Sequence, residues 1–145
     1  MVWPFKKRKT FVQSNASPVQ QVERFTKHLG LDLTPYGAGV ALLSTESGYS
    51  PAETASHFAV VTIARDMKAA MDDIEDMVSL VPRGYAILEC LKDLKDKGFI
   101  REELWANDAT AIGKIINPSS ETEEWIERIL SDPVVAKEAV AISRI

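Results

Sequence analysis

A single cysteine, two histidines and the lack of any apolar run of membrane-spanning length set the first limits on this sequence. One cysteine cannot form an intramolecular disulfide, so the fold must be carried by its core, and a reducing, cytoplasmic setting is expected. The basic start is not followed by the apolar stretch of a secretion signal, which points the same way. Of the two histidines, His28 lies in the last turn of its helix, where a cation suits the dipole, which leaves His57 as the one to weigh. Gly37-Ala38-Gly39 has no strand before it and no third spaced glycine, so a phosphate-cradling loop is not expected there. Internal repeats and low-complexity tracts are also missing. What the chain does have is 46% hydrophobic and 26% charged residues over 145 positions, enough for one domain to bury a core without metals or disulfides.

The formal net charge of −4 is unevenly placed. Lys6, Lys7, Arg8 and Lys9 hold four of the 17 basic residues, so the rest of the chain is more acidic than the total suggests. An acidic body disfavours nucleic acid as a partner. Residues 1–16 show neither a helical nor a strand period and read as an arm, with 17–145 as a single all-helical domain. The arm combines Trp3 and Phe5 with the four cations. That composition suits an anionic membrane surface, or less readily single-stranded nucleic acid, or simply a solvated start.

Helix punctuation is dense. Ser17-Pro18 with Gln20 opens a helix that runs to about Leu29 and is closed by Gly30. Thr34-Pro35 opens another, to about Ser47. Ser50, Pro51 and Glu53 then make a proline-preset capping box at the head of the longest periodic stretch, Pro51 to Val81. Along it Ala52, Ala59, Val60, Ile63, Met67, Ala70, Met71, Ile74, Met77, Val78 and Val81 share one arc, as a core-facing stripe does. Phe58 and Val61 lie off that arc, so the first half is expected to be covered on both sides. A bend near Ala69 is plausible for so long an element, and Pro82 with Gly84 is expected to end it. Further helices follow over Ile87 to Leu94 before Gly98, over Arg101 to Ile116, after a Ser120/Glu123 capping box, and after Asp132-Pro133. The expected fold is all-α, a compact orthogonal bundle of six or seven helices around Pro51 to Val81.

Two signals bear on chemistry. Asp72 and Asp76, at helical i,i+4 spacing, are the best candidates for a divalent metal. They point away from the apolar stripe beside Lys68 and Arg65, and a solvated acidic face is the better account. His57, one turn after Glu53, suggests either an acid/base pair in a ligand pocket lined by Tyr36, Tyr49, His57, Phe58 and Met67, or an ordinary surface pair, which is favoured. Cys90 sits beside the apolar stripe of its helix and reads as a small buried residue, since no cation adjoins it to lower its pKa.

Without a catalytic constellation, the leading expectation is a non-enzymatic interaction or regulatory protein of bacterial type. It would bind a protein partner through helix faces and be held at the inner face of a membrane by its arm. A small-ligand or enzymatic domain near His57 comes second, and a metal-dependent enzyme using Asp72 and Asp76 third. No cofactor is expected. Val134, Val135 and Ile145 in the last helix offer a surface for a second copy of the chain.

Overall fold

The computed structural model describes residues 17–32, 48–117 and 119–131, and every regular element among them is a helix. The order is α1 (Pro18–His28), α2 (Pro51–Ala70), α3 (Ile74–Asp96), α4 (Glu102–Ile116) and α5 (Thr122–Leu130). The helices expected from Thr34 and from Asp132, with Val134, Val135 and Ile145, fall outside the described residues, as does the arm.

Local chemistry starts the helices where the sequence marks them. Ser17 Oγ accepts from the Gln20 amide at 3.1 Å while Gln20 Oε1 accepts from the Ser17 amide at 3.0 Å. Ser50 and Glu53 repeat the arrangement at 3.1 and 2.9 Å, and in both helices proline takes the first position, where its missing N–H costs nothing. Ser50 Oγ also donates to the Phe99 carbonyl at 3.1 Å, tying the start of α2 to the turn before α4. Gly30 closes α1 with φ of 79°, the left-handed conformation that favours glycine.

α2 is the hub. It packs against each of the other four described helices, and from Ala52 to Ala64 it is covered on most sides, with Ala55, Phe58, Ala59, Val61, Ile63 and Ala64 buried. The expected coverage of Phe58 and Val61 on both sides is therefore present. α4 lies against α3 and α5 as well, and Leu91, Leu94, Ile112, Ile115 and Ile126 fill the space between them. Cations over indole rings seal two of the seams. Lys95 Nζ stands 4.3 Å from the centroid of Trp105, and Lys114 Nζ stands 4.3 Å from that of Trp125.

The single helix expected from Pro51 to Val81 is instead two. α2 stops at Ala70, and Asp73 adopts an extended backbone with φ of −132° and ψ of 111°. Its carboxylate accepts from the amides of Glu75 and Asp76 at 2.9 and 3.3 Å, so it caps a new helix. Glu75 and Asp76 in the first turn of α3 add favourable charge at the positive end of the helix dipole. Pro82 and Gly84, expected to end a helix, lie inside α3. Proline deprives the Val78 carbonyl of its helical donor, but Pro82 and Val78 both lie on the exposed side, where water can serve that oxygen. The cap expected from Ser120 and Glu123 is also not the one used. Thr122 Oγ1 accepts from the Ser119 amide at 2.6 Å, and Ser119 Oγ accepts from the Glu121 amide at 3.3 Å.

At Gly84 α3 lies close against α4. A Cβ built there would lie 2.5 Å from Cγ2 of the buried Ile116. Gly84→Ala is therefore expected to destabilise the protein by about 1–3 kcal/mol through overpacking, although alanine in a helix interior is ordinarily the better residue by about 1 kcal/mol. Urea unfolding of the variant against wild type measures this, and Ile116→Ala in the same chain should recover part of the packing strain.

Candidate functional site

The polar groups that carried chemical promise in the sequence have been drawn into other partnerships. Glu53 faces Arg101 rather than His57. Its side chain is 4% exposed, and its two oxygens accept from Arg101 Nε at 2.8 Å, Arg101 Nη2 at 2.9 Å, the Arg101 amide at 2.8 Å and the Ser50 amide at 2.9 Å. Burial alone would raise this carboxyl. The Arg101 guanidinium and the two amides outweigh it and lower the pKa from 4.5 to about 2. A carboxylate so saturated with donors, and so firmly ionised, is a clamp between α2 and the α3–α4 turn, not a base awaiting a proton.

His57 Nδ1 lies 3.7 Å from Asp108 Oδ1 on α4, and the neighbouring Ser56 donates from Oγ to Asp108 Oδ2 at 2.6 Å. Serine, histidine and aspartate thus meet, but in an order that does not generate a nucleophile. A hydrolytic relay needs the serine proton on the imidazole, with the carboxylate behind it. Here serine and imidazole both address the carboxylate, and Ser56 is fully buried. Asp108 stands 52 residues from Ser56 in a stretch with no motif, so nothing in the sequence marks it as their partner. Cys90 Sγ donates weakly to the His28 carbonyl at 3.8 Å. Burial, with Asp93 and Glu89 nearby, pushes its thiol up, which makes it a poor nucleophile.

Of the expected pocket residues, Tyr36 lies outside the described region, Tyr49 is half-buried ahead of α2, His57 sits against Asp108, and Met67 is deep in the core. Phe58 forms part of the wall of a cavity of about 570 Å³. Its described walls are Gly30 to Asp32 after α1, Phe58, Thr62, Arg65, Asp66 and Ala69 from α2, and Arg83 from α3. Arg83 Nη1 is engaged by Asp66 Oδ2 at 2.7 Å across it.

Asp72 lies in the turn between α2 and α3 and Asp76 in the first turn of α3, so the helical i,i+4 relation between them is not formed. Lys68, whose expected neighbour was Asp72, is paired instead with Glu127 on α5. Among the described residues no group of three His, Cys, Asp or Glu side chains is placed to share a metal ion. The arm residues Trp3, Phe5, Lys6, Lys7, Arg8 and Lys9 lie outside the described region.

What stands out instead is the outer face of α3. Because the chain breaks at 71–73, Ile74 and Val78 do not continue the buried stripe of α2. They are 75% and 62% exposed, with Tyr85 at 50%. At 100° per residue these three and the half-buried Val81 and Leu88 fall within an arc of about 80°. Their order, 74, 78, 81, 85, 88, alternates steps of four and three, the spacing of a coiled-coil seam. One border of the seam is the core stripe of Leu80, Gly84 and Leu91. The other carries Glu75, Pro82, Ala86 and Glu89, all exposed. Lys92 ends the apolar row. Sequence periodicity missed this face because it treated Ile74 and Val78 as part of a longer helix. The signal that would have separated them is Asp73 followed at once by Glu75 and Asp76, a cap with two acids behind it.

The Glu53 clamp makes a pH prediction. Its folded pKa is depressed, so its stabilisation is complete above about 4.5 and is lost as the pH falls towards about 2. Glu53→Gln should cost about 1.5–3 kcal/mol at neutral pH, the range for hydrogen bonds to charged groups, and should flatten the acid limb of a stability–pH curve measured by urea unfolding. Compared with known proteins, the chain matches no family model, no curated protein and no solved structure.

Proposed function

We propose that this is a non-enzymatic helical interaction protein whose docking surface is the outer face of α3. The observation that carries the proposal is the exposure of Ile74, Val78 and Tyr85 in one seam, while the large apolar residues of α2 are almost all buried. Exposed apolar residues gathered in a row, unlike scattered ones, mark places where a soluble protein meets something else. A helix laid along such a seam buries side chains at the same four-and-three spacing on both partners. The engagement of Glu53 by Arg101 and of Ser56 by Asp108 supports the non-enzymatic part of the reading, since neither group is poised for proton or acyl transfer. A small-ligand site is less well supported, because its one polar handle, His57, is not among the described walls of the cavity.

The test uses a library of amphipathic helical peptides with apolar residues at heptad positions and varied residues at the flanks. Peptides selected on the full chain should bind a Val78→Ser/Tyr85→Ser variant at least tenfold more weakly, while the variant's unfolding free energy stays within about 0.5 kcal/mol of wild type, as surface changes usually do. Peptides held equally by both proteins would remove α3 as the docking surface.

The N-terminal arm belongs to the same proposal as an anchor at the inner face of a membrane in the cytoplasm. Trp3 and Phe5 suit the headgroup region, and Lys6, Lys7, Arg8 and Lys9 each contribute about 1 kcal/mol near an anionic surface. Removal of residues 1–12 should abolish salt-dependent sedimentation with anionic vesicles. Equal sedimentation of the truncated chain would overturn this part.

A further inference from the structure

We infer that the occupant of the α3 seam is a basic amphipathic helix of a different protein, about four turns long, an inference that rests on reading this face as a docking surface. The apolar row from Ile74 to Leu88 spans about 21 Å at 1.5 Å per residue, which sets the length of the helix it accepts. Charge sets its kind. Glu75 and Glu89 lie along the open border of the seam, exposed and in none of the described ion pairs. Asp72, Asp73 and Asp76 crowd the end of α3 where the seam begins, while Lys92 lies beyond its other end. A helix seated on the row places its own flanking residues against Glu75 and Glu89, and lysine or arginine there completes pairs of the kind that set partner choice at helix–helix seams.

The same arrangement argues against two other occupants. Two copies of α3 packed antiparallel would bring the Glu75 and Glu89 border of one against that of the other, a like-charge contact that disfavours self-pairing. In a parallel pair the acids would face the side of α3 already occupied by Leu80, Gly84 and Leu91 against the core. An anionic bilayer would meet carboxylates around the apolar row and be repelled.

The probes are two synthetic helical peptides of four turns, both with leucine at the heptad core positions, one with lysine and the other with glutamate at every flanking position. Titrations into the labelled full chain are read by fluorescence anisotropy, beside sedimentation velocity of the chain alone. The inference expects the lysine peptide to bind at least tenfold more tightly than the glutamate peptide. It also expects Glu75→Lys/Glu89→Lys to reverse that order and Val78→Ser/Tyr85→Ser to weaken the lysine peptide at least tenfold. Both peptides binding alike and both lost in Val78→Ser/Tyr85→Ser would keep the docking surface but overturn the basic partner. Self-association of the chain that disappears in the same variant would do likewise, naming a second copy as the occupant. Lysine-peptide binding untouched by Val78→Ser/Tyr85→Ser would overturn both the inference and the docking surface beneath it.

Discussion

A single carboxylate decides how the second half of this protein is arranged. By accepting the first amide protons of α3, Asp73 fixes where one helix stops and another begins, three residues after the end of α2. Were the helix continuous, Ile74 and Val78 would extend the buried stripe of Met67 and Ala70. With the break, α3 instead presents Leu80, Gly84, Ile87, Leu91 and Leu94 to the core and leaves the earlier apolar positions outside. The exposure of Ile74 and Val78 goes with that change of direction.

Two buried polar groups of α2 are satisfied by partners distant in sequence. Glu53 holds Arg101 and Ser56 holds Asp108, so the buried flank of α2 carries polar groups without leaving them unsatisfied. Buried charge is tolerated when it is paired and hydrogen-bonded, and the four donors around Glu53 meet that condition. Glu53, Arg101, Ser56 and Asp108 together hold α2, the α3–α4 turn and α4 in place.

Much of the fold was legible in the residues. The Ser17/Gln20 and Ser50/Glu53 boxes, the close of α1 at Gly30, the arc of Ala52 to Ala70 and the double coverage of Phe58 and Val61 are local or periodic signals, and the helices follow them. The candidate site was not legible, for two reasons. Periodicity sums over a window, so it anticipated a bend near Ala69 but not a full break with a new cap at Asp73, nor the interior position of Pro82. Tertiary partners such as Arg101 and Asp108 lie about fifty residues from the groups they engage, where spacing carries no information. His57 accordingly looked like a partner of Glu53, its neighbour one turn away, and proved to stand against Asp108.

Two regimes of sequence drift meet on one helix in α3. At Gly84 any side chain collides with Ile116, so this position can change only together with its neighbour on α4. About a third of a turn around the same helix, Ile74, Val78 and Tyr85 are largely exposed, and the partner proposed for this face is what would hold them apolar. If the proposed partner were lost, chains descended from this one could let the outer row become polar within a fold that does not change, whereas Gly84 would remain tied to Ile116.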